Sequence, residues 1–215
     1  METTVRFSAV IADEIHFIGN KNRDYLLKDN ARNFIDSIGH WAEEEIDFVT
    51  ARELFVGTGG GKFSPDATMT RGMVVTVLGK LWEADIENFT DSRFTDVSRD
   101  AWYASYVEWA AEKGIVNGVG HSQFAPDKAV TREEFSVIIA NFTKLTGSIL
   151  NETTAEPINF VDNSNISTWA KDSVTAMQQA GIINGKGNNI FDPIGTATRA
   201  EVAVMLQRLI SNIVQ

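Results

Sequence analysis

Three tryptophans in this chain are each followed, after the same interval, by a Thr-Arg pair. In every case 30 residues separate the tryptophan from the arginine, a glycine lies 16 residues after the tryptophan, and a phenylalanine follows six residues later. The landmarks are Trp41, Gly57, Phe63 and Arg71 in the first copy, Trp102, Gly118, Phe124 and Arg132 in the second, and Trp169, Gly185, Phe191 and Arg199 in the third. Because four landmarks keep their order and spacing three times, the chain is one structural unit written three times.

The landmarks divide the chain into a leading segment and three repeats. The leading segment covers residues 1–32, and the repeats cover residues 33–85, 88–145 and 158–213. Units of about 55 to 65 residues bury so little surface that they are only marginally stable alone. We therefore expect the three repeats to share one core and to form one folded unit.

The charge balance and composition exclude several functions. The sequence has 19 lysines and arginines against 29 aspartates and glutamates, a formal net charge of −10, and no cysteine. Nucleic acid and anionic membranes attract basic surfaces, so neither is an expected partner. The absence of cysteine excludes disulfides, thiolate metal sites and cysteine catalysis. No apolar run approaches the length of about 18 residues that a membrane span needs, and residues 1–4 do not begin a signal sequence, so an exported protein would appear here as a mature fragment or a cloned piece.

Residues 5–17 alternate between apolar and polar side chains, which is typical of a β-strand. Asp13 interrupts the apolar face of this pattern. A single strand has no partner in the rest of the chain, so it would be either the last strand of a preceding domain or an edge piece packed on the repeats. The turn-like residues 19–22 favour the preceding domain.

Each repeat is expected to contain two helices. The first begins near the tryptophan and, in copies two and three, ends at Gly114 or Gly181, since glycine accepts the left-handed conformation that terminates a helix. The second begins at Thr70, Thr131 or Thr198, whose hydroxyl can cap the first turn.

Two of these second helices also carry a capping box. Glu134 and Glu201 lie three residues after the threonine, whereas Met73 takes that place in copy one. The stretches that follow are apolar over much of the helix circumference, as is typical of buried helices. Three such helices, one from each repeat, could form a central bundle.

The arginine of each Thr-Arg pair stands at the first position of a helix. Positive charge is unfavourable there, because the helix dipole and the unbonded N–H groups already make this end partly positive. An anion shared by the amides and the guanidinium fork would resolve the conflict, so the pattern predicts three anion sites. The structural alternative is that each arginine pairs with an aspartate of its own or the next repeat, such as Asp36, Asp96 or Asp162.

The repeated tryptophans and glycines also permit more than one interpretation. Each tryptophan would either lie in the core, on the buried face of the first helix, or be partly exposed as a platform for the face of a sugar ring. Each glycine would provide a turn that needs a positive φ or a close approach of the backbone. Such close approach would also let a ligand reach amide donors.

Catalysis and metal binding find no support in the sequence. Neighbouring carboxylates, as at residues 43–44 and 133–134, are typical of a solvated surface. The histidines His16, His40 and His121 are not equivalent between repeats and lack metal-ligand spacing. No nucleophile elbow, P-loop or dinucleotide fingerprint occurs, and the calcium-binding loop of a dockerin-like module is absent. We therefore expect no enzyme, no metal site and no cofactor.

Further motifs accompany the landmarks in every copy. They are Phe94-Thr95-Asp96, Gly114-Ile115-Val116-Asn117-Gly118, Phe124-Ala125-Pro126-Asp127 and Thr131-Arg132-Glu133-Glu134 in repeat two, Phe160-Val161-Asp162, Gly181-Ile182-Ile183-Asn184-Gly185, Phe191-Asp192-Pro193 and Thr198-Arg199-Ala200-Glu201 in repeat three, and Phe34-Ile35-Asp36, Phe55-Val56-Gly57, Phe63-Ser64-Pro65-Asp66 and Thr70-Arg71-Gly72-Met73 in repeat one. From about residue 33 to residue 213, this series resembles the S-layer homology (SLH) domain.

The resemblance implies a mainly α fold. Tandem SLH repeats form one pseudo-threefold unit with a central three-helix bundle and three loop-helix prongs, here preceded by a short N-terminal β-strand segment. A closed threefold within one chain needs no partner to complete its core, so the module is expected to be a monomer.

The resemblance also implies a function without catalysis. SLH domains anchor exported proteins to the bacterial cell surface by binding an anionic secondary cell-wall polymer, commonly one with a pyruvylated amino sugar. The implied ligand-binding residues are Arg71, Arg132, Arg199, Trp41, Trp102, Trp169, Asp36, Asp96, Asp162, Gly57, Gly118 and Gly185. On this basis Arg132→Ala or Arg199→Ala should weaken binding by roughly 2 kcal/mol without unfolding the protein. The alternative is a protein–protein assembly module of a surface layer, in which the arginines are structural.

Copy one departs from the family pattern in two places. Gly72-Met73 replaces Ala-Glu, which removes the capping carboxylate and introduces a glycine that weakens a helix by about 1 kcal/mol relative to alanine. The loop at residues 58–61 contains three glycines, which predicts a more flexible backbone. We therefore do not expect three equally occupied sites.

Overall fold

The computed structural model describes residues 4–19, 24–26, 30–147, 150–151 and 159–215. Six helices and two short strands lie within these ranges, which confirms the predicted mainly α class. The elements are β1 (Ser8–Ile11), β2 (Glu14–Phe17), α1 (Glu43–Ala51), α2 (Arg71–Trp82), α3 (Ala104–Glu112), α4 (Arg132–Thr146), α5 (Lys171–Gln179) and α6 (Arg199–Val214), with a 3-10 turn at Asn163–Asn165. Residues 20–22 of the predicted turn and Ile158, the predicted start of repeat three, lie outside the described residues.

The chain divides into two compact units. The first combines the residues up to 67 with residues 198–215, and the second comprises residues 68–197. The first unit contains the two strands, α1 and α6, and the second contains α2 to α5. Helix α6 of repeat three therefore belongs to the same unit as α1 of repeat one.

The leading segment forms a hairpin, so the prediction of one strand over residues 5–17 is wrong. Strands β1 and β2 pair antiparallel, with Ser8 opposite Phe17 and Ile11 opposite Glu14. The turn residues Ala12 and Asp13 have φ values of 50° and 64°, which suit a two-residue hairpin turn. The polar Asp13 that interrupts the alternation marks this turn.

In the first unit, α6 packs against both α1 and β1. The carbonyl oxygen of Ser8 accepts a hydrogen bond of 2.9 Å from Arg52 Nε, which ties the hairpin to the end of α1. The buried side chains Ile46, Val49 and Leu206 contribute to the core of this unit. The hairpin is therefore packed on residues of the repeats.

In the second unit, α2 packs against α3, and α4 packs against α5. Gly79 of α2 lies directly under the ring of Tyr106, where a Cβ atom would collide with that ring. The rings of Trp82 and Phe142 are nearly perpendicular, at a centroid distance of 6.2 Å. These contacts join the helices of successive repeats.

The predicted caps are confirmed at the starts of α2, α4 and α6. The hydroxyls of Thr70, Thr131 and Thr198 accept a backbone N–H three residues later. Reciprocal capping boxes form with Glu134 and Glu201. Because Met73 has no carboxylate, α2 has only the threonine half of the box.

The ends of the first helices are also as predicted in copies two and three. Gly114 and Gly181 follow α3 and α5 with φ values of 70° and 69°. Copy one has Glu53 at the equivalent place, with a φ of 59°. More than half of the residues of helices α2, α4 and α6 are buried. The central bundle and the pseudo-threefold arrangement stay predictions.

Candidate functional site

Each arginine of a Thr-Arg pair is buried and reaches the loop of another repeat. Arg71, which is only 6% exposed, donates from Nε to the carbonyl oxygen of Phe124 at 2.9 Å and from Nη2 to that of Asn117 at 2.9 Å. Both acceptors belong to repeat two. The side chain that starts α2 is therefore fixed by a loop far along the chain.

The same contact occurs in the other two copies. Arg132 donates from Nε to Phe191 O at 2.7 Å and from Nη2 to Asn184 O at 3.3 Å. Arg199 donates from Nε to Phe63 O and from Nη2 to Val56 O, both at 2.8 Å. Repeat one thus contacts the loop of repeat two, repeat two that of repeat three, and repeat three that of repeat one.

The guanidinium groups also lie over aromatic rings. Cζ of Arg71 lies 4.6 Å from the ring centre of Phe124. The distance is 5.3 Å from Arg132 to Phe191 and 4.4 Å from Arg199 to Phe63. A ring face attracts a cation, and the attraction is larger away from water. The repeated phenylalanine therefore supports the charge of the repeated arginine.

One guanidinium nitrogen is left for another partner in two of the copies. Among the described residues, Nη1 of Arg71 and Nη1 of Arg199 have no hydrogen-bond acceptor, and neither atom is fully buried. These nitrogens can therefore donate to water or to a ligand at the protein surface.

The backbone amides at the helix starts are already bonded. Arg71 N donates to Lys128 O at 3.0 Å and Gly72 N to Pro126 O at 2.9 Å. The equivalent bonds are Arg132 N to Gly195 O, Glu133 N to Pro193 O, Arg199 N to Ala67 O and Ala200 N to Pro65 O. The interpretation that these amides await an anion is therefore wrong, because carbonyl groups of another repeat supply the negative charge.

The aspartates of the Phe-x-Asp motif hold the same loops. Asp36 accepts the N–H groups of Phe63 and Ser64 at 2.8 and 2.9 Å. Asp96 does so with Phe124 and Ala125, and Asp162 with Phe191 and Asp192, at 2.7 to 2.9 Å. The structural alternative therefore takes another form: the arginines bond to loop carbonyls and the aspartates to loop amides, and both bond to the backbone of the repeat phenylalanine.

The aspartates and arginines influence each other through space. Burial raises the pKa of Asp36, but the two N–H bonds outweigh it and leave the pKa below its ordinary value. Asp162 shows the same balance, to which the charge of Arg132 contributes. Burial lowers the pKa of Arg71 and of Arg199. Glu134 and Asp96 oppose that effect at Arg71, and Asp36 opposes it at Arg199.

The loops adopt one conformation in all three copies. Each closes with an N–H donated across a five-residue turn, at residues 58–62, 119–123 and 186–190. Three successive residues in each turn have positive φ, namely Gly59-Gly60-Gly61, Gly120-His121-Ser122 and Gly187-Asn188-Asn189. The three glycines of copy one therefore occupy positions where the shared backbone favours glycine.

The glycine after each first helix is required by close approach. A Cβ atom on Gly118 would lie 2.6 Å from Gln123 O and 2.9 Å from a ring carbon of Phe94. On Gly57 and Gly185 it would lie 2.8 and 2.7 Å from the equivalent carbonyl oxygens. These residues do not have positive φ, so of the two predicted reasons only close approach applies.

The tryptophans are exposed, so their assignment to the core is wrong. Trp41, Trp102 and Trp169 are 65%, 60% and 58% exposed and lie in the turn just before a helix. From that turn the indole does not join the buried face of the helix, which begins two residues later. This position is compatible with the predicted platform for a sugar ring.

The residue after each repeat arginine differs between copies, and the structure shows why. Gly72 lies against Tyr103, where a Cβ atom would be 3.1 Å from the ring. Glu133 instead accepts hydrogen bonds from the backbone N–H and the hydroxyl of Ser167, each at 2.9 Å. Gly72, which departs from the family pattern, therefore accommodates a large side chain of the next repeat.

Sequence reasoning missed two parts of this site. The carbonyl acceptors of the arginines carry no side-chain signal, although Asn117 and Asn184 each precede a repeat glycine. Tyr103 could have been noticed, because the equivalent positions hold Ala42 and Ala170.

Within the described residues, no group of three or more histidine, aspartate or glutamate side chains could hold a metal ion. The helices of that same part of the chain are too short or too polar to span a membrane.

Comparison with known proteins gives a consistent family. The model of the S-layer homology domain matches residues 33–72, 93–136 and 159–203, which is more than half of the chain. The exoglucanase XynX of Acetivibrio thermocellus is 33% identical over 82% of this chain, which covers 16% of that protein.

Two further relatives carry names of surface proteins. The surface-layer 125 kDa protein of Lysinibacillus sphaericus is 29% identical over 84% of this chain and 15% of its own length. The cellulosome-anchoring protein of Acetivibrio thermocellus is 27% identical over 71% of this chain and 34% of its own length. The chain thus spans about a third or less of these relatives, and with three matches in tandem it belongs to the S-layer homology domain family.

Proposed function

We propose that this chain binds an anionic secondary cell-wall polymer through a pyruvylated amino sugar and thereby tethers an exported protein to the bacterial surface. Domains of this family anchor surface proteins to the cell wall without catalysis, and enzyme names among the relatives belong to much longer proteins. The identity of the ligand goes beyond what the family assignment gives. We propose further that the module works as a monomer outside the cell, with no cofactor and no inserted membrane segment.

One observation carries the choice of an anionic ligand. A guanidinium is held away from water by two carbonyl oxygens, yet in Arg71 and Arg199 the nitrogen Nη1 still has no protein acceptor. A charged donor with fixed geometry and little competing water favours a carboxylate, such as that of a pyruvyl ketal. We name the three surroundings by their arginine: the Arg71, Arg132 and Arg199 grooves, each with the loop that this arginine contacts.

The tryptophans complete the proposed site. An exposed indole offers an apolar face to the apolar face of a pyranose ring. The repeat aspartates and glycines shape the loop. Their direct contact with ligand stays part of the proposal, as does the pseudo-threefold unit with a central bundle, which the cyclic order of arginine contacts supports.

A second function competes with this one. In a protein–protein assembly module the arginines would be wholly structural, and their burial and carbonyl bonds favour that interpretation. The two functions differ in what they require of the cell wall, because only the first needs the pyruvylated polymer.

Binding to purified sacculi separates them. We expect the protein to sediment with native sacculi and to remain in solution with sacculi whose polymer has been removed by acid or lacks pyruvate. Equal sedimentation with all three preparations would contradict the proposal.

A tryptophan variant with a matched control tests the site without disturbing the hydrogen bonds of the arginines. Trp169→Ala should weaken sedimentation several-fold, because packing of a sugar face on an aromatic ring contributes about 1 kcal/mol. Its thermal transition should stay close to that of the unaltered protein, since the side chain is 58% exposed. Leu26→Ala, at a residue that is 86% exposed outside the repeats, is the control and should change neither property.

A further inference from the structure

The three grooves differ at one pair of positions. The pair consists of the residue after the repeat arginine and the residue after the tryptophan of the next repeat. It is Gly72 with Tyr103 in the Arg71 groove, Glu133 with Ala170 in the Arg132 groove, and Ala200 with Ala42 in the Arg199 groove. Only the Arg71 groove places an aromatic ring in this pair.

Tyr103 lies against Gly72, the residue that follows Arg71. Its ring is within 3.2 Å of the place a Cβ of Gly72 would occupy, directly beside the arginine in sequence. It also meets the exposed Trp102, with ring centres 5.0 Å apart. The ring is half-buried, whereas Ala42 and Ala170 leave no side chain beyond Cβ. The tyrosine ring therefore fills the space beside Gly72, the residue that follows Arg71.

The charges around Arg71 also differ from those around Arg199. Arg71 feels the carboxylates of Glu134 and Asp96, whereas Arg199 feels that of Asp36. Glu134 is fixed by bonds from Thr131 N at 3.0 Å and Lys128 Nζ at 2.8 Å, so it does not swing away easily. Burial and the carboxylates of Asp127 and Asp96 raise the pKa of Tyr103, which places its hydroxyl near negative charge. An incoming anion would meet two carboxylates here.

We infer that Tyr103 closes the Arg71 groove, so that this chain binds its anionic sugar in two grooves, those of Arg132 and Arg199. The inference rests on the proposed function and specifies which copies perform it. Arg71 then has a structural role alone, and its Nη1 donates to water beside the tyrosine ring.

Nuclear magnetic resonance of the whole chain tests this at each arginine. The Nε–H groups of the three arginines are bonded to carbonyl oxygens and should give resolved signals, assigned with arginine-to-lysine variants. The probe is a pyruvylated N-acetylhexosamine, with the unpyruvylated sugar as control. We expect it to shift the signals of Arg132 and Arg199 and to leave that of Arg71 unchanged.

A double variant tests the cause. Gly72→Ala with Tyr103→Ala copies the Ala200 and Ala42 pair of the Arg199 groove, and the stoichiometry measured by calorimetry should rise from two to three sugars per chain. Tyr103→Phe keeps the ring and should keep a stoichiometry of two. A circular dichroism melt shows whether each variant is folded, and Tyr103→Ala alone replaces the double variant if that one is not.

The possible results distinguish failure of this inference from failure of the proposed function on which it rests. Three sugars bound by the unaltered protein, a shifted Arg71 signal, or no third site in a folded variant without Tyr103 would overturn the inference and leave the proposed function standing. Absence of binding by the unaltered protein and every folded variant would overturn both.

Discussion

The Arg71 and Arg199 grooves share a backbone frame and differ in what fills it. In both, the arginine Nε donates to the carbonyl of a loop phenylalanine, at 2.9 and 2.8 Å. In both, the first two amides of the helix donate to carbonyls of the same loop. Tyr103 nevertheless occupies the position that Ala42 holds in the other groove. The hydrogen bonds that join the arginine and the helix start to the loop are thus repeated in both grooves. The side chain beside them differs between the two grooves.

The largest expected effect comes from removing an arginine of the frame. Arg199→Ala should lower the free energy of unfolding by about 2 to 4 kcal/mol, because two buried carbonyl oxygens lose a charged donor and a ring loses its cation. Urea denaturation followed by circular dichroism measures the loss. The sequence-based expectation of weaker binding without unfolding stays a prediction, and the same denaturation curve tests whether the variant is folded.

An exposed arginine serves as the control for this prediction. The Arg99 side chain is 72% exposed and pairs with Asp91 at 2.7 Å, so Arg99→Ala should change stability by about 0.5 kcal/mol or less. Equal losses for Arg99→Ala and Arg199→Ala would contradict the structural role of the buried residue.

The close-approach glycine should give the next largest effect. Gly118→Ala should cost about 1 to 3 kcal/mol, since the new methyl group would lie 2.6 Å from a backbone oxygen that cannot rotate away. In contrast, Gly60→Asn should be neutral or slightly stabilising, because Asn188 has the same left-handed conformation at the equivalent position and asparagine tolerates it. Thermal melts of both variants compare a glycine needed for space with one that conformation alone favours.

Acid should weaken the loops through the aspartates. The folded-state pKa of Asp36 and of Asp162 lies below the ordinary value of 3.8, because hydrogen bonds from backbone N–H groups outweigh burial. Their contribution to stability is therefore complete above about pH 4 and is lost as pH falls through the folded-state pKa. Urea midpoints measured between pH 6 and about pH 2.5 should show this decline, and Asp162→Asn should show a shallower one.

The smallest effect distinguishes the two grooves themselves. Gly72→Ala should be more favourable, by up to about 1 kcal/mol, when Tyr103 is also alanine, because the ring otherwise lies 3.1 Å from the added methyl group, whereas Pro126 O, at 3.2 Å, stays in both backgrounds. A double-mutant cycle on the free energy of unfolding measures this coupling. Additive effects of the two substitutions would mean that the ring does not constrain Gly72.

Patterns in the sequence predicted the parts whose cause is local. The threonine caps, the two capping boxes and the left-handed glycines after α3 and α5 depend on residues within a turn or two of each other. The hairpin was missed because an alternating pattern continues through a two-residue turn, and only Asp13 disturbs it. The exposure of the tryptophans was one of two open alternatives, because helical spacing alone does not show where the helix begins.

By itself the sequence determined that three equivalent units exist, which family they belong to, and which side chains recur in them. Tertiary structure decided what those side chains contact. The arginines lie at helix starts that have no negative partner when each repeat is considered alone. Their acceptors are carbonyl oxygens 46 to 143 residues away in the chain, and a carbonyl has the same chemistry whatever its residue. No residue pattern can identify such a partner. Only the folded structure shows that the amides at the helix starts are hydrogen-bonded and that Tyr103 makes the Arg71 groove different from the other two.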